Sequence, residues 1–127
     1  MPVLRTIGLW TPPAVYMGVI FALSSISDVP AAPTGMDKVV HLVLYVGLAV
    51  TVLRAVAGGL PVRVSWWHAL AAVAITVAYG ATDELHQRFV PLRSADAMDL
   101  VADGCGAVVG TIGCWAWGIL ASRNHEL

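Results

Sequence analysis

Charge is what this 127-residue sequence has least of: Asp, Glu, Lys and Arg make up 12% of it, against 58% apolar residues. A soluble domain covers its surface with about a quarter charged residues. So few charges exclude an ordinary water-facing exterior and point to lipid. A basic excess is also missing. Seven Lys and Arg against eight Asp and Glu leave a net charge of −1, which provides no face to neutralise a phosphate backbone, and no nucleic-acid motif is present. Nucleic acid is therefore not an expected partner. Cysteine is limited to Cys105 and Cys114. Nine residues along one helix is about 13.5 Å and half a turn out of phase, so the pair cannot bridge within that helix. Both are expected to be packing residues. No zinc motif, nucleophile elbow or P-loop occurs.

What the sequence does have is apolar runs. Four of them, roughly 8 to 26, 38 to 57, 65 to 84 and 98 to 121, approach the ~20 residues that a membrane-crossing helix needs. The predicted fold is all-α: an integral membrane bundle of about four transmembrane helices, residues 1–127 forming a single domain. The breaks carry Pro30 and Pro33, then Gly58-Gly59-Leu60-Pro61, then Pro91 between Gln87 and Ser94. Pro12 and Pro13 are expected in the first turns of helix one, where a missing amide costs little. The first run follows Arg5 and ends near Ala22-Leu23-Ser24, but it exceeds a signal-peptide core and is expected to stay as a span. Arg5, Arg54, Arg63 and Arg123 fall on one side with all five tryptophans (Trp10, Trp66, Trp67, Trp115, Trp117); Lys38, Arg88 and Arg93 fall on the other. The basic excess and the aromatic belt place both termini in the cytoplasm of a multi-pass cell-membrane protein. Gly106, Gly110, Cys114 and Gly118 form a small-residue stripe, expected to serve close packing inside the bundle; homo-oligomer contact is its other use.

The remaining polar residues gather at the second side, on three helices. Asp37, His41 and Tyr45 share one face at i, i+4, i+8, with Lys38 beside them; Tyr79, Asp83 and Gln87 do the same, with Glu84 adjacent; Asp96, Asp99 and Asp103 repeat at i+3 and i+7. Ionisable groups on membrane helices cost several kcal/mol unless they face protein, water or each other, so the three stripes are expected to converge on a pocket. Crowded carboxylates there need compensation from Lys38, Arg88 and Arg93, from protons, or from a metal, and the sequence does not choose among these. Structural roles compete residue by residue. Asp37, Ser94 or Asp96 can cap helices, the basic residues can snorkel to head groups, and His41, Tyr45 and Tyr79 can be packing residues with a local hydrogen bond. His68 and His125 are expected to have no functional role. Asp83, Glu84, Asp99 and Asp103 are the hardest to explain structurally, because two are too deep to cap and two lie at a helix C-terminus that disfavours negative charge.

Those same blocks carry a resemblance. Asp37-Lys38-Val39-Val40-His41 with Tyr45, Tyr79-Gly80-Ala81-Thr82-Asp83-Glu84-Leu85-His86-Gln87 running into Phe89-Val90-Pro91-Leu92-Arg93, and Asp99 with Asp103-Gly104-Cys105-Gly106 and Gly110 resemble the VanZ-like family across nearly the whole chain. The family pattern has Gly where Leu92 stands and Asn where Asp103 stands. The resemblance implies a small multi-helix membrane protein of the cell envelope, in a family named for a member associated with resistance to the glycopeptide antibiotic teicoplanin. It supplies a compartment, not a reaction.

Two functions lead, ahead of a transporter or flippase-like role and a purely structural bundle. In the first, an outward pocket recognises a lipid-linked or cell-wall head group. The ligand-binding residues would be Asp37, Lys38, Tyr45, Tyr79, Gln87, Arg88, Arg93, Asp99 and Asp103, with the cations taking phosphate and the carboxylates taking amines or sugar hydroxyls. The partners are then membrane lipids and a lipid-linked cell-wall precursor. In the second, a membrane enzyme acts on a lipid-linked substrate, with Glu84 or Asp83 as general base, His41 as acid/base, and Asp99 with Asp103 holding a divalent metal. No cofactor is identified by sequence.

Overall fold

The computed structural model describes residues 1–27, 35–60 and 64–124. Four helices make up its regular structure: α1 (Pro2–Ser24), α2 (Met36–Ala57), α3 (Trp66–Gln87) and α4 (Ala97–Asn124), with no strand among the described residues. The all-α membrane bundle is thus as expected, with different boundaries. Helix α1 starts at Pro2 and not near residue 8, so Pro12 and Pro13 lie mid-helix and not in the first turns. Hydropathy marks where a chain becomes apolar, whereas a helix continues for as long as its backbone bonds. Here the polar start is helical, and the Thr6 and Thr11 hydroxyls donate to the carbonyls of Pro2 and Ile7. The residues surrounding Pro30 and Pro33, together with Pro61, Arg63 and His125, fall outside the described residues.

Three helices, α1, α2 and α4, are long and apolar enough to cross a membrane. Helix α3 matches them in length at 22 residues, but Trp66, Trp67 and His68 open it and Asp83, Glu84, His86 and Gln87 close it. It packs against all three neighbours, whereas α1 and α4 lie on opposite sides of the α2–α3 pair without touching. The exterior is apolar. Val15, Val19, Val43, Leu70, Val109 and Ile112 are all more than half exposed, a surface that lipid, not water, accommodates.

Local chemistry sets the ends. Ser65 caps α3 by accepting from His68 N–H, while His68 Nδ1 accepts from Ser65 N–H, which gives His68 a structural role. Gly58 ends α2 at φ +80°, a conformation that favours glycine, and its carbonyl accepts from Arg5 Nη2 at 2.7 Å. The core centres on α2, where Tyr45, Leu48, Val52 and Leu53 pack with Ile20, Ala72 and Cys114. The small-residue stripe is used within the bundle. A Cβ at Gly106 or Gly110 would stand 2.5 Å from the Leu42 or Val46 carbonyl oxygen, so α4 reaches α2 at backbone distance only because these positions have no side chain.

Candidate functional site

Antiparallel packing brings the start of α2, the end of α3 and the start of α4 to one end of the bundle, and the sequence-predicted residues divide there into three groups. The first is an ion network. Lys38 Nζ donates to Asp37 Oδ2 (3.0 Å), Asp96 Oδ2 (2.7 Å) and Asp99 Oδ1 (2.5 Å), which uses all three ammonium protons. The N-cap of α2 is Gly35, and Asp37 places a negative charge in the first turn. Asp96 does cap α4, its Oδ1 accepting from Met98 N–H. The Lys38 bond, with that amide second, holds the Asp96 carboxyl below the usual carboxylate range. The sequence indicated Asp96 as a helix cap and as a member of the Asp96–Asp99–Asp103 stripe. Its ion pair with a lysine 58 residues away has no signal in local spacing.

The second group is deeper. His41 Nδ1 lies 2.8 Å from Asp103 Oδ1, and His41 Nε2 lies 3.7 Å from Asp99 Oδ2. Asp103 is fully buried, Asp99 nearly so. Glu84 reaches across from α3. Its Oε2 accepts from Asp96 N–H at 3.0 Å, anchoring the start of α4, while its Oε1 is buried without a partner among the described residues. Gly80 makes room for this group, since a Cβ there would meet Asp103 Oδ2 at 3.0 Å.

The third group faces α1. Gln87 Nε2 donates to Asp83 Oδ2 and Ser24 Oγ, both at 3.4 Å, leaving Asp83 Oδ1 without a partner among the described residues. Tyr45 is buried, its hydroxyl without a partner among the described residues. Tyr79 is committed elsewhere, its hydroxyl donating to the Met17 carbonyl at 2.5 Å, and so ties α3 to α1. Phe21 stacks on His86, whose Nε2 is 3.0 Å from Ser25 Oγ. These α1 contacts went unanticipated, because α1 carries no charged residue near its end.

Two cavities flank the cluster. One of about 270 Å³ opens between α1 and α2, lined on its polar side by Asp37, His41, Tyr45, Asp83, Gln87 and Arg93 and on its apolar side by Ile20, Leu23, Val40 and Leu44. Leu44 also borders an apolar groove further along the same helix pair, with Val15, Tyr16 and Val19. The other cavity, about 360 Å³, lies beside α3 and α4 and is lined by Glu84, Arg88 and Asp96. Arg88 and Arg93 thus serve different cavities.

A protein-family model described as VanZ/LLP1 matches residues 5–120. The chain belongs to the VanZ/LLP1 family. No curated protein and no solved structure gives a significant match. Leu92 adopts φ +64°. This is the left-handed region that costs a side-chain-bearing residue roughly 1–2 kcal/mol.

Proposed function

We propose that this VanZ-like membrane protein recognises the head group of a lipid-linked or cell-wall molecule at the polar end of its bundle. The observation that carries the reading is the cavity between α1 and α2, whose polar side merges with an apolar wall that continues past Leu44 along the helix pair. Such a shape suits a molecule with a polar head and a hydrocarbon tail entering from the bilayer. Lys38 is taken up by three carboxylates. Phosphate recognition therefore falls to Arg93 at this cavity and to Arg88 at its neighbour, while Asp83 Oδ1 and the Tyr45 hydroxyl await hydroxyl or amine groups. In this reading the cluster faces outward, both termini are cytoplasmic, and the protein works in the cell envelope with a bearing on teicoplanin susceptibility.

A second reading is favoured by one feature: Glu84 has a buried oxygen without a partner among the described residues, near a His41–Asp103 pair, as a membrane enzyme acting on a lipid-linked substrate would need. The test is teicoplanin susceptibility of cells lacking the protein, complemented by wild type, Arg93→Gln or Glu84→Gln at equal membrane levels. A head-group binder loses complementation in graded steps across the two variants. An enzyme loses it outright with Glu84→Gln while Arg93→Gln retains part. Full complementation by both variants removes the site from the function.

A further inference from the structure

His41, Glu84 and Asp99 bring ligand atoms close together, and Lys38 is committed to other oxygens. An ionised Asp103 can only accept, so at 2.8 Å His41 Nδ1 is the donor, and in the neutral ring Nε2 then carries the lone pair. That lone pair faces a carboxylate oxygen, Asp99 Oδ2, at 3.7 Å. Glu84 supplies an independent sign of a missing partner: the residue is 7% exposed and its Oε1 has no hydrogen bond among the described residues. Lys38 does not resolve this, because its ammonium is bound to the other oxygen of Asp99 and to Asp37 and Asp96. One ligand atom from each of His41, Glu84 and Asp99 lies within 4.8 Å of the others.

We propose that His41, Glu84 and Asp99 bind a divalent transition-metal ion, with Asp103 as the positioning residue that holds His41. Metal-bound imidazoles characteristically donate their second N–H to a carboxylate, which fixes the tautomer and aims the lone pair; Asp103 stands in that relation to His41. Bonds of about 2.0–2.2 Å place neighbouring ligand atoms about 3–3.5 Å apart, so binding draws the side chains together by an ångström or so. One imidazole nitrogen with two carboxylates and no thiolate suits Zn²⁺ or Mn²⁺ better than Ca²⁺ or Mg²⁺, which favour all-oxygen shells. The ion takes His41, Glu84 and Asp99, whose ligand atoms lie together, where the sequence suggested the pair Asp99–Asp103; Asp103 Oδ1 is held by the imidazole and its Oδ2 has no partner among the described residues. Three protein ligands leave a coordination position open, as in sites that accept an outside group. The inference does not depend on the head-group reading, although a phosphate could complete the coordination.

The experiment uses the purified full-length chain in detergent, stripped with chelator and titrated with Zn²⁺ or Mn²⁺ alone, with bound metal quantified, Mn²⁺ followed by electron paramagnetic resonance, and thermal unfolding recorded. The expected result is one ion per chain with a raised melting temperature, Zn²⁺ binding more tightly than Mn²⁺ and Mg²⁺ at least 100-fold more weakly than Zn²⁺. Glu84→Gln and His41→Gln should each weaken binding at least 100-fold. Asp103→Leu should weaken it about 10–100-fold, whereas Asp103→Asn, whose carbonyl still accepts from Nδ1–H, should restore it to within a few-fold of wild type. Absence of stoichiometric binding by the wild-type chain overturns the proposal whatever the variants do, and leaves the complementation test unaffected. Unchanged binding by folded Glu84→Gln and His41→Gln overturns it equally.

Discussion

Gly106→Ala should separate α4 from α2 and damage the site without altering any polar residue. The new Cβ would sit 2.5 Å from the Leu42 carbonyl oxygen and 3.1 Å from Tyr45 Cβ and Val46 N. Two of these atoms are α2 backbone, so no side chain can swing aside. Reaching ordinary contact at 3.4 Å requires a retreat of about 0.9 Å, and overpacking of this kind costs about 1–3 kcal/mol. Alanine also has an intrinsic helix advantage of about 1 kcal/mol over glycine, which would blur a comparison with wild type. Gly113→Ala supplies the control, since Gly113 is in the same helix with nothing within 4 Å, and its substitution shows the propensity gain alone. Unfolding in mixed micelles, followed by helical circular dichroism, should find Gly106→Ala less stable than Gly113→Ala by about 1–3 kcal/mol. The same retreat stretches the 2.8 Å His41–Asp103 contact past hydrogen-bonding distance, so complementation should fall as well. Equal stability of the two variants would refute the close approach of α2 and α4.

Leu92→Gly should raise stability by about 0.5–1 kcal/mol in the same assay, because the side chain is 87% exposed and its backbone stands at φ +64°; a loss of stability would show that Leu92 has packing value that outweighs its strain. Lys38→Met should lower the melting temperature more than Asp37→Asn, since it strands the buried Asp99 while the latter only removes an exposed carboxylate; the reverse order would refute the network. Asp96→Asn retains a capping oxygen for Met98 N–H and loses only the ion pair. Because the folded carboxyl titrates below its usual 3.8, the stability difference from wild type should be full above that pH and fade as acid titrates the folded group. A difference that grows on acidification would contradict the assignment. Arg5→Gln should cost about 1 kcal/mol, the worth of a bond from a charged donor to the exposed Gly58 carbonyl, with complementation unchanged because the contact lies at the opposite end of the bundle.

Much of the site was legible because membrane helices give polar residues so little freedom. Asp83, Glu84, Asp99 and Asp103 stood out as ionisable residues in apolar runs, and the structure buries all four at one end of the bundle. Helical spacing also placed His41 and Tyr45 on one face. Spacing could not say which groups would meet. Lys38 finds Asp96 and Asp99, 58 and 61 residues away, and His41 finds Asp103, 62 residues away. Tyr79 looked like a pocket residue and instead binds the α1 backbone.

The sequence by itself determined the solvent and the element type: too little charge for water, and apolar runs whose backbone must bond to itself in lipid, which leaves helices as the available form for runs of this length. It also determined that the polar residues would collect at one level, because polar groups on antiparallel helices must share whatever depth shields them from lipid. Only the tertiary structure decided the partners: which carboxylates take Lys38, which one orients His41, and that Glu84 keeps an oxygen without a partner among the described residues. Those outcomes depend on how closely α4 approaches α2 through Gly106 and Gly110, a distance of a few ångströms between residues some sixty positions apart, and helical periodicity within one segment carries no information about distances between segments.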